Sequence, residues 1–344
     1  MFDSIDELVF FVLKYLFILL LIPICLIFKI DFKWVILGQL IYLLSIKICY
    51  NINNILNKLL YNFYNKNNNK NINNYNDLTS LLKDKKVFCL LTGGSNGLGE
   101  ALAKELLKKY GHINNFNLII IDKQPLNKDF NKINNRERIL FVQHDLEKDI
   151  TQLLPKLPSE MTENSTDKSA SYKILINNCG TRHKFDDFNN IWSEDLFYKI
   201  FQINVVTGAN LMQKLNPDYL ITVSSILSMV TPKNASIYCA SKSALSSIHE
   251  SFVQIENKKG LLVLPGQLKD TLLFSNIKND HTFFAPLVDI NKLSKRIVDN
   301  MNDLHNGTII DPLYGNFIQL LGRFPYWIQI LLRKFSGIDN AIDT

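Results

Sequence analysis

Residues 87–99 read Val-Phe-Cys-Leu-Leu-Thr-Gly-Gly-Ser-Asn-Gly-Leu-Gly, and the fold is decided by how this stretch is read. An apolar run of strand formers, Val87 to Leu91, ends in a glycine-dense turn. A helix-forming segment, Glu100 to Tyr110, follows at once. Strand, turn and helix in this order open a dinucleotide-binding βαβ unit. Gly93, Gly97 and Gly99 would let the backbone turn tightly and approach a pyrophosphate with no Cβ in the way. A helix starting near Gly97 would then aim its free N–H groups and positive dipole end at the phosphates. Thr92, Ser95, Asn96 and Leu98 share the turn and are candidate cofactor contacts. Glycine-rich turns also end ordinary strands, so the rest of the chain has to support this reading.

The next segment, Phe116-Asn-Leu-Ile-Ile-Ile-Asp122, reads as a buried parallel strand ending in an acid. Asp122 lies about 20 residues past the turn, where a carboxylate accepts hydrogen bonds from the adenosine ribose. It would repel a 2′-phosphate, and Asn96 supplies no positive charge for one. Both features favour NAD over NADP, while Lys123 leaves NADP open. A third strand, Ile139 to Gln143, leads to Asp145, a candidate contact for the adenine edge. His144 reads as a surface or packing residue. Residues 154–171 read as a surface loop, with strand four at Tyr172 to Asn177.

At 344 residues the chain can hold one large α/β domain plus extras. The net charge of +6 is spread without an arginine-rich block. That argues against nucleic-acid binding and suits a position near anionic lipid. The five cysteines, Cys25, Cys49, Cys89, Cys179 and Cys239, show no CxxC or metal-ligand spacing. They indicate a reducing compartment and neither a disulfide frame nor a metal site.

The apolar residues are heaviest before residue 50. Leu8 to Ile30 is interrupted only by Lys14 and Lys29, and it exceeds the roughly 20 residues a bilayer span takes. Acidic residues precede it and no small-residue cleavage site follows, which predicts a retained anchor. Trp34 to Tyr50 would return across the membrane or lie at its interface, so residues 1–50 form one span or a hairpin. Flanking charges place the rest of the chain in the cytosol. The endoplasmic reticulum, lipid droplet and mitochondrial outer membrane all fit such an anchor. Residues 51–77, rich in Asn and Lys, read as a linker. The catalytic domain is expected over 78–315, and 316–344 as an amphipathic extension broken at Pro325 into two short helices. That tail suits a membrane interface, or packing on its own domain or on a second subunit, so a homodimer is open.

Beyond strand four the motifs become specific. Thr92-Gly93-x-x-x-Gly97-x-Gly99 followed by Asn177-Asn178-Cys179-Gly180 resembles the short-chain dehydrogenase/reductase superfamily, which usually has alanine where Cys179 stands. The resemblance covers roughly residues 85–315. It implies a Rossmann-type, doubly wound parallel sheet and assigns bracing beside the cofactor to Asn177 and Gly180. Asn204, in Ile200-Phe-Gln-Ile-Asn204, matches an asparagine that distorts its helix and holds a water in a proton relay. Ser225, with Ser224 as fallback, matches the serine that binds the substrate oxygen. Tyr238 and Lys242 match the catalytic pair. Four residues apart on a helix they share a face, and a nearby ammonium would draw the phenol's pKa down from about 10 and make it a usable general acid/base. A lone Tyr-x-x-x-Lys means little among 13 tyrosines, but its place in this ordered series carries weight. Pro265 and Gly266 match the loop against the nicotinamide. Asp270 stands where the family has a threonine, which leaves Thr271 as the candidate ligand. Ser228 replaces a common glycine. Residues 272–287 read as a mobile substrate lid.

The expectation is an α/β, doubly wound enzyme with an N-terminal transmembrane anchor. It would transfer hydride between NAD(H), or less favourably NADP(H), and a lipophilic alcohol/carbonyl pair. Retinoids, sterols, long-chain alcohols and keto-lipids are the classes considered, because membrane-bound retinol and hydroxysteroid dehydrogenases of this superfamily are similar in layout. The alternative is a non-catalytic NAD-binding membrane scaffold or redox sensor.

Overall fold

Seven short apolar runs become seven parallel strands of one sheet, in the spatial order β3-β2-β1-β4-β5-β6-β7. In the computed structural model they span Lys86–Thr92 (β1), Phe116–Asp122 (β2), Ile139–Gln143 (β3), Ser171–Asn177 (β4), Tyr219–Val223 (β5), Lys259–Pro265 (β6) and Gly307–Asp311 (β7). The structure describes residues 7, 41, 44, 45, 47, 48, 75, 77–128, 130, 136–162, 171–255, 258–274, 277, 286–322 and 324–340. The chain divides into two units, residues 1–75 and 76–344, and the sheet belongs to the second. Most of the expected anchor and linker lies outside the described residues, as does most of the expected lid. Among the described residues no helix is long and apolar enough to cross a membrane.

The strands are nearly continuous in apolar residues because both faces of the sheet are covered. Phe88, Leu90, Ile119, Ile121, Leu175 and Leu220 share one core with Leu211, Met212, Leu215 and Leu245. The last four lie on helices α4 (Thr207–Leu215) and α5 (Ser236–Ile255). Helices α2 (Gly97–Tyr110) and α6 (Ile290–Asn302) pack against each other, and α2 also packs on β1 and β2. A short α1 (Leu78–Asp84) precedes β1, and α3 (Glu194–Phe201) precedes α4. Two helices end the described chain, α7 (Gly315–Leu321) and α8 (Tyr326–Ser336), with Pro325 at the start of α8.

Local chemistry sets the ends. Asp289 caps α6, its carboxylate accepting from the N–H groups of Asn291 at 2.8 Å and Lys292 at 3.1 Å. Helix α2 starts at Gly97, three residues before its good helix formers begin. The glycines have poor helix propensity, and the geometry of the preceding turn overrides it.

After β3 the chain crosses to the far side of β1 to form β4. The connections leaving the carboxyl ends of β1 and β4 therefore part at the point where the strand order reverses, and such a point opens a crevice. Leu175, fully buried at the centre of β4, holds this junction from beneath. Leu175→Ala should lower the unfolding free energy by about 2–5 kcal/mol, read as a shifted urea midpoint.

Candidate active site

The crevice at the strand reversal encloses about 380 Å³. Of the residues singled out in the sequence, Gly93, Asn96, Gly97, Leu98, Gly99, Asp122, Asp145, Gly180, Ser225, Tyr238, Lys242, Pro265, Gly266 and Thr271 all line it. Thr92, Ser95, Asn177 and Asn204 do not; they are buried around it.

One end is a phosphate cradle. Asn96 stands at the N-cap of α2 but its side chain caps nothing, so the first-turn N–H groups stay open to the crevice. Gly97 has φ +56°, and a Cβ there would project to within 3.4 Å of the Thr271 methyl across the gap. The open helix end and the missing side chain fit a dinucleotide pyrophosphate. Asp270 takes the left-handed φ of 56° that carries the loop onward and leaves Thr271 facing Gly97.

Asp122 ties the turn to the loop after β2. Its Oδ2 accepts from the Ser95 N–H at 2.9 Å and its Oδ1 from the Gln124 N–H at 3.0 Å. The Ser95 hydroxyl donates to Gln124 O at 2.8 Å. Ser95 is thus a brace for Asp122. Thr92 is a brace too, its Oγ1 accepting from the backbone N–H groups of Asn178 and Cys179, each at 3.0 Å.

The bracing assigned to Asn177 falls instead to its neighbour. The Asn178 amide donates to Thr92 O at 3.0 Å and Gly93 O at 3.1 Å, latching β4 to the glycine turn. Alternation along the strand turns Asn177 the other way, against Gly208 of α4. The motif alone could not say which asparagine faces the turn; strand parity from β4 could have.

At the other end, β5 delivers Ser224 and Ser225. Ser224, which also lines the crevice, donates to Lys242 O at 2.9 Å and accepts from the Ser246 hydroxyl at 2.8 Å. Ser225 Oγ accepts from the Leu227 N–H at 3.1 Å, and its bond to Pro265 O is long, at 3.4 Å. Ser228 donates to Ser225 O at 2.7 Å and steadies that turn. Tyr238 and Lys242 sit one turn apart on α5, 2% and 3% exposed. The Lys242 ammonium donates to Val223 O at 3.1 Å and lies 5.9 Å from the Tyr238 ring centroid.

Asn204 lies in a π-helical turn, Gln202–Val206, that links α3 to α4. An extra residue per turn pushes its amide out of the helix ladder. Oδ1 accepts from the Thr181 N–H at 2.7 Å, and Nδ2 donates to Thr181 O at 2.8 Å and Ser241 Oγ at 2.9 Å. A buried asparagine in an apolar helix is explained by these three bonds.

The expected acidification of Tyr238 by Lys242 is not what the structure supports. Burial pushes the phenol up, and the groups opposing it are the Ser225 hydroxyl and the Arg182 guanidinium. Burial also pulls Lys242 down to about 8, so the lysine's own charge is strained by the same dry environment. Arg182 escaped the sequence reading because it belongs to no motif there. His144, half expected at the surface, is buried and lines the adenosine side of the crevice.

A crevice at the strand reversal, a glycine cradle and a buried Ser-Tyr-Lys group define a nicotinamide-dinucleotide oxidoreductase. The family model described as short chain dehydrogenase matches residues 87–280. The uncharacterized oxidoreductase TDA5 of Saccharomyces cerevisiae is 32% identical over 276 residues, covering 76% of this chain and 80% of that protein. A short-chain dehydrogenase from Streptomyces avermitilis superposes with a TM-score of 0.56 at 16% identity, over 74% of this chain and 97% of its own. One from Burkholderia cenocepacia, solved in complex with NADP, gives 0.53 at 18% identity, over 74% and 98%. The chain belongs to the short-chain dehydrogenase family, and is an oxidoreductase acting on a CH–OH group.

Asn178→Ala should weaken NADH binding about tenfold, from losing two hydrogen bonds of about 0.5–1.5 kcal/mol each, while Asn177→Ala leaves it near wild type. Fluorescence titration with NADH separates the two.

Proposed function

We propose that the protein oxidises or reduces a lipophilic alcohol/carbonyl pair at a membrane surface, with NAD(H) preferred over NADP(H). One observation carries the chemistry: the phenol of Tyr238, the hydroxyl of Ser225 and the ammonium of Lys242 open on the same crevice as the glycine cradle. When bound, the nicotinamide supplies or accepts the hydride. Tyr238 takes the alcohol proton in oxidation and returns it in reduction. Ser225 turns its weakly held hydroxyl to the substrate oxygen. Lys242 holds the nicotinamide ribose, and Asn204 supports a water path from Lys242 to solvent.

The preference for NAD rests on Asp122, whose carboxylate borders the crevice at the adenosine end. Two backbone N–H groups hold it in place, and a 2′-phosphate would meet its charge there. Lys123 and Gln124 line the same end and are the residues through which NADP could be accepted. Asp145 and Gly180 complete the adenine and nicotinamide ends, and Pro265, Gly266 and Thr271 form the wall opposite.

A lipophilic substrate is supported by the lining beside Tyr238, where Leu268, Leu272, Leu273 and Phe274 face the crevice. The membrane is supported by the sequence of residues 1–50 and by α8. That helix leaves Tyr326, Trp327 and Leu331 exposed with Arg333 and Lys334 near its end, an interfacial pattern. Helix α7 packs through Ile318 near Ile226, in the turn that Ser225 begins, and so ties the tail to the site.

Tyr238→Phe should cut kcat/KM by about a hundredfold to ten-thousandfold, followed by NADH absorbance with a panel of long-chain alcohols, sterols and retinoids. Wild-type turnover by the variant would dismiss the assignment. Because burial raises the phenol above its ordinary value near 10, the base form fills only above about pH 10, so alcohol oxidation should still be climbing there while carbonyl reduction stays level below it. Asp122→Ser should raise the NADP/NAD ratio of kcat/KM at least about tenfold, as a like charge leaves the ribose site.

A further inference from the structure

Arg182 follows Gly180 by two residues and does not line the crevice, yet it sits behind the wall that faces Tyr238. Its Nε donates to Leu273 O and its Nη1 donates to His183 O at 2.9 Å. The guanidinium lies 4.8 Å from the Phe185 ring centroid and 5.8 Å from that of Phe274. These two rings flank Tyr238, at 6.1 Å and 6.3 Å between centroids, and share its buried cluster.

We propose that Arg182 is a positioning residue that clamps the Leu272–Phe274 turn onto the loop after β4, setting the aromatic wall against Tyr238 while holding a positive charge behind the phenol. One planar fork makes both contacts, reaching a carbonyl of the turn and a carbonyl of its own loop while stacking on two rings. The turn is held by long backbone bonds, from the Phe274 N–H to Thr271 O at 3.3 Å and from the Ile277 N–H to Phe274 O at 3.2 Å, and the Arg182 fork adds a side-chain hold on Leu273 O.

The charged and titratable groups around Tyr238 are few. On its own helix are Cys239 and Lys242, and from the loop after β4 come Arg182 and His183. His183 meets the Phe185 ring at 5.6 Å between centroids. The Leu272–Phe274 turn contributes none. Burial raises the phenol, and among these groups Arg182 is the cation that opposes it. Losing Arg182 therefore leaves the phenol harder to deprotonate.

The proposal rests on Tyr238 being the proton-transfer group, and its test has one arm free of that reading. In Arg182→Met, amide hydrogen exchange over residues 272–274, measured without substrate, should quicken at least about fivefold. The acid limb of kcat/KM for alcohol oxidation should move up by about half to one pH unit, a loss of about three- to tenfold at fixed pH on that limb. Arg182→Lys keeps the charge and gives up the fork, so exchange should quicken while the limb stays near wild type. It also carries the test if the methionine variant does not fold. Wild-type exchange in either variant, or an unmoved limb in Arg182→Met, overturns the proposal. Wild-type turnover by Tyr238→Phe would instead sink the catalytic reading, and the exchange arm would still decide whether the clamp exists.

Discussion

A lysine ammonium that is 3% exposed is the hardest thing this fold has to accommodate, and much of the site is arranged around it. Lys242 keeps one backbone acceptor, Val223 O at 3.1 Å, and the face of the Tyr238 ring. Gly180 makes room for it: a Cβ there would come within 3.0 Å of Nζ. Burying a cation with so little compensation lowers its proton affinity, and Lys242 falls to about 8. The same dryness raises its phenol neighbour. The same dry environment thus favours the neutral form of both groups, the phenol rising and the ammonium falling from nearly equal ordinary values.

The parallel sheet makes this burial possible. Strands β1, β4 and β5 end side by side at one edge of the core, and the chain reverses its strand order between β3 and β4. Each strand hands a different group to the opening: the glycine turn from β1, Asn178 and Gly180 after β4, the two serines after β5. The braces beneath are largely backbone-directed: Thr92 and Asn178 spend their side chains on main-chain groups of neighbouring segments, and Asn204 adds a bond to the Ser241 hydroxyl beside its two to Thr181. Positions of the reacting side chains are therefore set by the sheet rather than by one another.

Most of this was legible in the sequence for a simple reason. Buried parallel strands are short apolar runs, and the first four were visible as such, as were the glycines and the Tyr-x-x-x-Lys spacing. What escaped depended on direction and on contacts distant in the chain. Asn177 and Asn178 differ by one step of strand parity, which no motif encodes. The two N–H groups that hold Asp122 come from two separate loops. Arg182 acts through two phenylalanines and a carbonyl some ninety residues away, as in its bond to Leu273. The electrostatics also escaped, because helical spacing shows that an ammonium is near a phenol but not how dry the two of them are.

The wide turn at Gln202–Val206 has a consequence beyond holding Asn204. An additional residue in one turn rotates everything downstream by roughly 100° about the helix axis. Leu211, Met212 and Leu215 reach the sheet in that rotated frame. A change that restored regular winding would withdraw the Asn204 amide from Thr181 and, in the same movement, swing those three side chains off the core. Stability and activity are coupled here through phase rather than proximity, so this segment has almost no freedom to drift in one without losing the other.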